Sequence, residues 1–380
     1  MEAGARSAAE EVAFEAKLAF LGSLEAFLGR TGADAAAPGA VPDLVAPAGR
    51  AAAVERIETH LSWLFIAGDR VFKLKKPIRL EFLDFSTVEL RERDCREEVR
   101  LNRRLAPDVY LGVVALVAGS DGTLALVEDG APPPGARTVD WLVMMRRLPS
   151  ARMLDRAIRQ GTVELGDVDR LGALLAGFYR GLPACEITAD AFIARFAREQ
   201  RYNRVVLTRP EFALDGWRGS AALDRVDRAL HALRPALARC ADSGCVVEGH
   251  GDLRPEHVCL LRPPVVIDCL EFDRALRLVD PLEELAFLGL ECEMEGAAWI
   301  GPRLLRCCSV LSRDAPPALL RFYKAHRALV RARLALAHLL EPEPRRPHRW
   351  VPLARRYVDV ALADIDRVDT AGSTAMAAAS

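Results

Sequence analysis

A polar stretch at residues 248–272, EGHGDLRPEHVCLLRPPVVIDCLEF, constrains the possible folds of this chain most strongly. It contains two short apolar runs separated by an arginine and two consecutive prolines, and proline cannot continue a strand ladder. The stretch therefore predicts a tight antiparallel hairpin. Folding the chain back at the prolines would set Asp268 roughly opposite His257 or Val258.

The residue types around this hairpin indicate chemistry. A carboxylate that ends an apolar strand, facing a polar loop with a His-x-Asp sequence, is suited to holding a divalent cation. Asp252 would then lie beside that cation and be able to accept a proton. Phosphoryl transfer needs such a site, because positioning and charge neutralisation provide most of its catalysis.

The region from Val54 predicts a small antiparallel sheet followed by a helix. Residues 54–59, 63–67 and 71–75 have strand character, and turns separate them. Ser86-Thr87-Val88-Glu89 has the pattern of a capping box, so we expect a helix from there to about Leu105.

The lysines of this region stand out because the chain has 52 basic residues and writes Arg for nearly all of them. Lys73, Lys75 and Lys76 lie within four positions, and a lysine ammonium is a compact charge that phosphate oxygens accept. Lys75 and Lys76 could equally lie at a solvated strand end. A carboxylate on the inward face of the following helix would need a cation such as Lys73. Helical spacing alone does not choose between Glu97 and Glu98.

The motifs together resemble the aminoglycoside phosphotransferase family, a small-molecule branch of the protein-kinase-like fold. The family pattern is His-Gly-Asp, four residues, Asn, and then a strand that ends Ile-Asp-Phe or Ile-Asp-Trp. Here His257 takes the Asn position and Cys269 follows Asp268. The resemblance implies an α+β, two-lobe protein-kinase-like fold with a small antiparallel-sheet amino-terminal lobe and a mostly helical carboxy-terminal lobe. It also implies ATP- and Mg²⁺-dependent phosphoryl transfer to a hydroxyl group of a small molecule.

The same resemblance assigns roles around the hairpin. Asp252 would orient or deprotonate the acceptor hydroxyl. Asp268 and His257 would hold the metal, although imidazole suits Mg²⁺ less well than an amide oxygen does. His250 would support the loop, and Asp280 would tie the catalytic loop through hydrogen bonds.

The resemblance also assigns the nucleotide contacts. Lys73 would hold the α- and β-phosphates, and the family spacing of leucines favours Glu98 over its neighbour as the partner of Lys73. The turn before the second strand lacks glycines, so Ser62 and neighbouring N–H groups would cradle the phosphates. Met145, or the adjacent Met144, could line the adenine pocket, although core packing is the more common role of a methionine.

Residues 54–114 look more specifically like the kinase-like domain of bacterial bifunctional aminoglycoside phosphotransferase/ATP-binding proteins. The GxxxxGK[ST] motif of a second, ATPase domain is absent, so a stand-alone form is expected. The predicted organisation is an amino-terminal helix and linker at 1–53, a nucleotide-binding lobe and hinge at 54–149, and a helical lobe at 150–370. An amphipathic helix is expected at 8–30.

The composition of the chain limits the kinds of binding partner that we expect. The net charge of −1 gives no reason to expect a nucleic-acid or membrane partner. A transmembrane run and a signal peptide are not expected. Nine scattered cysteines indicate reduced thiols in a cytoplasmic protein, with Cys240 and Cys245 as packing residues. The expected partner is a small hydroxylated substrate, and no oligomeric state is predicted.

Two other classes of function stay open. The first is a catalytically impaired nucleotide-binding scaffold, or pseudokinase, because the metal-binding Asn and the glycine-rich phosphate loop are missing. The second is a metal-dependent hydrolase built from His250, Asp252, His257 and Asp268, which would leave Lys73 and its glutamate without a function.

Overall fold

The computed structural model describes residues 20–28, 54–80, 83–128, 132–212, 216–311, 315–341 and 344–377. These residues fall into two compact units. The amino-terminal unit runs to Pro149 and also contains Glu271–Asp273, and the carboxy-terminal unit contains Ser150–Leu270 and the chain from Arg274 onward.

The amino-terminal unit is built on a six-stranded antiparallel sheet with the order β1-β2-β3-β8-β6-β7. The first three strands lie where the alternation of apolar residues predicts them. The helices of this unit are α1 (residues 20–28) and α2 (Val88–Asn102). The strands are β1 (Val54–Glu58), β2 (Ser62–Ala67), β3 (Arg70–Lys75), β4 (Arg79–Leu80), β5 (Leu83–Asp84), β6 (Tyr110–Ala118), β7 (Leu124–Glu128) and β8 (Arg137–Arg146).

One face of this sheet forms the apolar core of the unit. Alternate residues of a strand point to the same face, so every second position contributes to the core. Helix α1 covers this face with Leu21 and Leu24, both buried. The rest of the predicted helix at 8–30 lies outside the described residues. Side chains of the strands in this core include Trp63, Phe65, Phe72, Leu74, Val114, Leu142 and Met144.

Helix α2 packs mainly against β8 and begins one residue later than the capping box predicts. Thr87 rather than Ser86 is the N-cap, and its hydroxyl accepts a hydrogen bond from Leu90 N–H. Arg91 on the buried side of α2 donates to both carboxylate oxygens of Asp140 on β8, at 2.8 and 2.9 Å. This bidentate pair satisfies two charges that the interface buries.

The carboxy-terminal unit is mostly helical, which confirms the predicted α+β class with a sheet-rich first part and a helical second part. Helix α7 is buried around its whole circumference from Pro281 to Cys292. The helices are α3 (Leu154–Gln160), α4 (Leu165–Gly181), α5 (Ala189–Leu207), α6 (Gly219–Asp242), α7 (Pro281–Met294), α8 (Ile300–Cys307), α9 (Pro317–Ala337) and α10 (Pro347–Ala377). None of the helices in the described parts of the chain combines the length and apolar character needed to cross a bilayer.

Short strands carry the polar stretch. Strand β9 (Val247–Glu248) pairs with β12 (Leu278–Val279), and the predicted hairpin consists of β10 (Val258–Cys259) and β11 (Val265–Val266). In this hairpin Val258 lies opposite Val266, and Ile267 N–H donates to the His257 carbonyl. Of the two positions predicted to lie roughly opposite Asp268, His257 is therefore the nearer one. The strands are only two residues long, so Asp268 lies beyond the end of β11.

Candidate active site

The loop that follows β9, residues 249–253, is called the Asp252 loop here, and His250 stabilises it from inside. The His250 Nε2 atom donates to the Ile267 carbonyl at 2.9 Å, and Nδ1 accepts from Asp252 N–H at 3.3 Å. Burial lowers the pKa of this imidazole, because a charged ring would lose its hydration. Both ring nitrogens are therefore occupied within the protein, as the supporting role implied by the sequence requires.

Glu284 on α7 anchors the backbone of the same loop. Its carboxylate accepts hydrogen bonds from His250 N–H at 2.9 Å, from Gly251 N–H and from the Tyr179 hydroxyl at 2.7 Å. Gly251 has a φ of 89°, which favours glycine at this position. A buried carboxylate with three donors is fully satisfied and fixes the loop backbone.

The prediction that Asp280 forms hydrogen bonds with the catalytic loop is wrong, because Glu284 accepts these hydrogen bonds. Asp280 is the N-cap of α7, where its carboxylate accepts from Leu282 N–H and from the Tyr323 hydroxyl, both at 2.9 Å. These contacts hold the start of the helix that carries Glu284 one turn later. Asp280 thus acts on the loop only through α7.

Asp252 is a partly exposed carboxylate that lies next to the guanidinium of Arg254, a contact that the motif did not predict. Its side chain is 26% exposed, and Oδ2 accepts a hydrogen bond from Arg254 Nε at 3.0 Å. Burial raises the pKa of the Asp252 carboxyl, but Arg254 and His257 outweigh this effect and hold the pKa below its usual value. Asp252 is consequently ionised at neutral pH and can accept a proton.

The contacts of His257 place both ring nitrogens against neighbouring polar groups. Nδ1 donates to the Asp252 carbonyl at 2.8 Å, and Nε2 is 3.3 Å from Arg254 Nη2, which can only donate. When its proton is on Nδ1 alone, the ring offers a lone pair on Nε2. This atom lies 3.4 Å from Asp268 Oδ2, which is also an acceptor. A cation placed against these two atoms would remove the repulsion between their lone pairs.

Asp268 has an unusual backbone conformation. Its φ is 62°, in the left-handed region that aspartate adopts more readily than most other residues. Residues held in such sparsely populated conformations cluster at functional sites. The side chain is 47% exposed, so its oxygens are accessible to a ligand.

Lys73 on β3 and Glu98 on α2 form the predicted contact. Lys73 Nζ donates to Glu98 Oε1 at 2.8 Å, and the Glu98 side chain is fully buried. Glu97 instead pairs with Arg100 on the same helix, at 2.6 Å. The alternative left open by helical spacing is thus decided in favour of Glu98.

Lys75 was not assigned a partner from the sequence, although it is the centre of a larger set of charges. It is fully buried, and Nζ lies 2.7 Å from Asp94 Oδ2, 2.7 Å from Glu98 Oε2 and 2.5 Å from Glu271 Oε1. We call Lys73, Lys75, Asp94, Glu98 and Glu271 the lysine–carboxylate cluster. Two spacings in the sequence indicated it: the lysines are two apart on a strand, and two of the acids are four apart on a helix.

The cluster contains two ammonium groups and three carboxylates. Burial alone would lower the pKa of Lys75, but Glu271 and Glu98 outweigh it and raise that pKa well above its ordinary value. Burial raises the pKa of Glu271 to about 7, with Lys75 opposing the shift. Burial, with smaller contributions from Glu98 and Asp94, therefore allows Glu271 to gain a proton as the pH falls.

The half-exposed face of the sheet carries Lys73 together with apolar side chains. In the strand register, Val71 on β3 lies opposite Met145 on β8, so both share the face of Lys73. Met145 is partly exposed, whereas Met144 points into the core on the other face. Of the two methionines, Met145 is therefore the one placed to contact a planar ligand.

Ser62 does not have the predicted freedom to bind phosphate. Its N–H donates to the Thr59 hydroxyl at 2.9 Å, and Thr59 N–H donates back to the Ser62 carbonyl at 2.9 Å. The residue is also only 2% exposed. The turn closes on its own backbone groups, so the predicted phosphate cradle at Ser62 is wrong.

A six-stranded antiparallel sheet followed by a mostly helical part is the predicted order of elements. Comparisons with known proteins found similar solved structures and similar sequences. Solved structures of similar fold include a choline/ethanolamine kinase family protein from Mesorhizobium loti, with a TM-score of 0.49 and 19% identity, covering 87% of this chain and 91% of that one. Another is aminoglycoside 2′-phosphotransferase IIIa in complex with GDP, with a TM-score of 0.47 and 14% identity, covering 83% of this chain and 92% of that one.

Sequence relatives are more similar but have no described function. An uncharacterised protein of Mycobacterium bovis and one of Mycobacterium tuberculosis strain H37Rv are each 33% identical over 291 residues. The match covers 76% of this chain and 55% of each relative, so the chain spans about half the length of these curated proteins. No family model matches the sequence.

Proposed function

We propose that this chain transfers the γ-phosphoryl group of ATP to a hydroxyl group of a small molecule. The observation that carries the proposal is the Asp252 loop. It presents an ionised, partly exposed carboxylate on a backbone that Glu284 and His250 hold in place. A general base must be positioned before its pKa matters, and this loop meets that requirement.

Asp252 acts on the acceptor. Its carboxylate accepts a hydrogen bond from the acceptor hydroxyl, orients the oxygen toward the phosphorus atom and takes the proton as the new O–P bond forms. The O–P bond to ADP breaks in the same displacement. Arg254, which contacts Asp252 Oδ2, provides a positive charge that can move to the transferring phosphoryl oxygens.

Lys73 acts on the nucleotide. Glu98 holds its ammonium at 2.8 Å, and the Lys73 side chain remains 14% exposed and therefore accessible to phosphate oxygens. Lys75 is fully buried and cannot bind a ligand without leaving three carboxylates. Val71 and Met145, on the same sheet face as Lys73, supply an apolar surface for the adenine ring.

The residues present fit a divalent cation. The His257 Nε2 lone pair and Asp268 Oδ2 are two acceptors 3.4 Å apart, and they would hold Mg²⁺ or, with an imidazole ligand, Mn²⁺. Such an ion supplies charge neutralisation for phosphate oxygens. Our proposal assigns Asp268 as the principal ligand because it carries a formal negative charge.

A second candidate function is nucleotide binding without turnover. One observation favours it: Arg254 contacts both Asp252 Oδ2 and His257 Nε2, so a guanidinium lies against the proposed base and a proposed metal ligand. The hydrolase alternative loses support, because both nitrogens of His250 are used in the loop. Within the described residues, His250, Asp252, His257 and Asp268 form no group of three converging ligand atoms.

Nucleotide binding and turnover separate the two candidates. The parent protein should gain thermal stability with ATP, gain more with ATP and Mg²⁺, and form ADP when hydroxylated metabolites are added. An ATP-dependent stabilisation without ADP formation under any of these conditions would favour the scaffold. Neither stabilisation nor ADP formation would exclude both.

A further inference from the structure

A disulfide precedes strand β9 and the Asp252 loop in the sequence. Cys240, in the last turn of α6, and Cys245, two residues before β9, form a disulfide. This corrects the expectation that both cysteines are reduced packing residues. The chain turns back between them at Gly244, whose φ of 73° favours glycine.

The disulfide is connected to the Asp252 loop along the chain. Cys245 precedes β9, and the loop follows β9 directly. Strand β9 pairs with β12 over two residues, and the Glu248 carboxylate accepts a hydrogen bond from Arg277 Nη2 at 2.8 Å. The chain just before it contacts the segment that includes Ala184 and Cys185. A covalent link at the start of this two-residue strand limits the chain entropy of the segment that leads into the loop, and so adds to its order.

The disulfide also contacts the residue that caps α7, the helix of Glu284. Cys240 Sγ lies 3.4 Å from Asp280 Oδ2, and Asp280 caps the helix that carries Glu284. A disulfide sulfur has no proton, so in this state it cannot donate to the carboxylate. A reduced Cys240 thiol can donate to it. The two redox states therefore differ in the covalent link that precedes β9 and in the contact between Cys240 and Asp280.

We propose that Cys240 and Cys245 form a reversible dithiol–disulfide switch that sets the order of the Asp252 loop. Both residues are half-buried and accessible to a small thiol. In oxidation, one cysteine thiolate attacks oxidised glutathione, forms a mixed disulfide and releases one glutathione thiolate. The second cysteine thiolate attacks the mixed disulfide at the protein sulfur and releases the second glutathione. Two protein thiols are oxidised, one glutathione disulfide is reduced, and the two thiol protons pass to solvent or to the released glutathione.

The test follows the backbone of the loop, so its outcome does not depend on phosphotransferase activity. The full chain is equilibrated in glutathione buffers of increasing oxidised fraction, and free thiols are alkylated and located by mass spectrometry. Cys240 and Cys245 should lose labelling together, in one two-electron transition. Cys307, a half-buried cysteine outside the pair, should stay labelled throughout.

Hydrogen–deuterium exchange then measures the coupling. Reduction should speed amide exchange at residues 246–252 by roughly tenfold, because opening the ring returns chain entropy to the segment. Exchange in β6, in the amino-terminal unit, should not change. The Cys240→Ser and Cys245→Ser variants should exchange like the reduced parent under oxidising conditions, and Cys307→Ser should behave like the oxidised parent.

Three results would overturn the switch. The first is a pair that stays fully labelled in excess oxidised glutathione, and the second is equal exchange at residues 246–252 in both states. The third concerns metal, since Cys240, Cys245 and Asp280 each bring one ligand atom within 4.8 Å of the others. If equimolar Zn²⁺ protects both thiols from alkylation in the reduced protein, the pair is a metal site instead.

Discussion

The lysine–carboxylate cluster and the Asp252 loop hold charge in opposite ways. In the cluster, side chains neutralise side chains, and the central ammonium of Lys75 is closed to solvent. In the loop, the Glu284 carboxylate accepts hydrogen bonds from backbone N–H groups, while the carboxylate of Asp252 stays 26% exposed. The first arrangement stabilises a fold, and the second presents a reactive group. The comparison predicts that mutations in the cluster act mainly on stability, with Lys73 as the exception.

The largest stability effect is expected at Lys75. Replacing it in Lys75→Met leaves Asp94, Glu98 and Glu271 buried without their shared cation, which should cost about 3–5 kcal/mol of unfolding free energy. Chemical denaturation measures this change. Lys76→Met is the matched control, because Lys76 pairs with the half-exposed Glu58. The control should cost less than about 1 kcal/mol, and equal losses in the two variants would contradict a structural role specific to the cluster.

Lys73 should differ from Lys75 on the same strand, because its replacement should weaken nucleotide binding. Lys73→Ala should abolish most of the rise in melting temperature that ATP produces, which corresponds to about 2.7 kcal/mol at a ligand concentration of 100 Kd. The unliganded protein should keep its far-UV circular dichroism spectrum. A full response to ATP in this variant would remove Lys73 from the nucleotide site.

Glu284 tests the anchoring of the loop. Glu284→Ala leaves the N–H groups of His250 and Gly251 without their acceptor, at a cost of about 1–3 kcal/mol, and frees the loop. Amide exchange at residues 249–253 should therefore rise. Tyr179→Phe, which removes only the hydroxyl that donates to the same carboxylate, is the control and should leave these amides protected. Unchanged exchange in Glu284→Ala would show that other contacts fix the loop.

The pH dependence of stability should reveal Glu271. Its pKa is about 7 in the folded protein, above the ordinary value of 4.5. The folded state therefore binds more protons than the unfolded state between these values, and stability should fall as the pH rises from 4.5 to 7. In Glu271→Gln, the unfolding free energy lost between pH 4.5 and 7 should be smaller by about 1 kcal/mol or more. Unfolding curves at several pH values measure it, and an unchanged slope would assign the proton to another group.

The sequence predicted those parts of the structure that depend on local periodicity. Strand alternation placed Lys73 on β3, and helical spacing with the family pattern placed Glu98 on the inward face of α2. Both elements are long enough for side-chain direction to follow from position. In the hairpin, folding the chain back at the prolines predicted that Asp268 lies roughly opposite His257 or Val258. The structure brings Asp268 Oδ2 to 3.4 Å from His257 Nε2, although Asp268 itself lies beyond the paired residues.

Other features depended on contacts that no spacing encodes. The tie from Glu284 to the Asp252 loop joins residues more than thirty positions apart. Asp280, another buried carboxylate on the same helix, serves as a helix cap instead. Ser62 was misassigned because its N–H donates to the Thr59 hydroxyl within the turn and its side chain is buried, neither of which its position in the sequence indicates.

The most direct test of the proposed function is ADP formation by the Asp252→Asn variant. The account predicts Mg²⁺- and acceptor-dependent ADP formation in the parent and a loss of about 10²–10⁴-fold in the variant. The stabilisation by ATP should be retained. Glu256→Gln, which changes an exposed partner of Arg254 in the same segment, is the control and should stay close to the parent. Equal rates in the parent and Asp252→Asn would contradict the central claim.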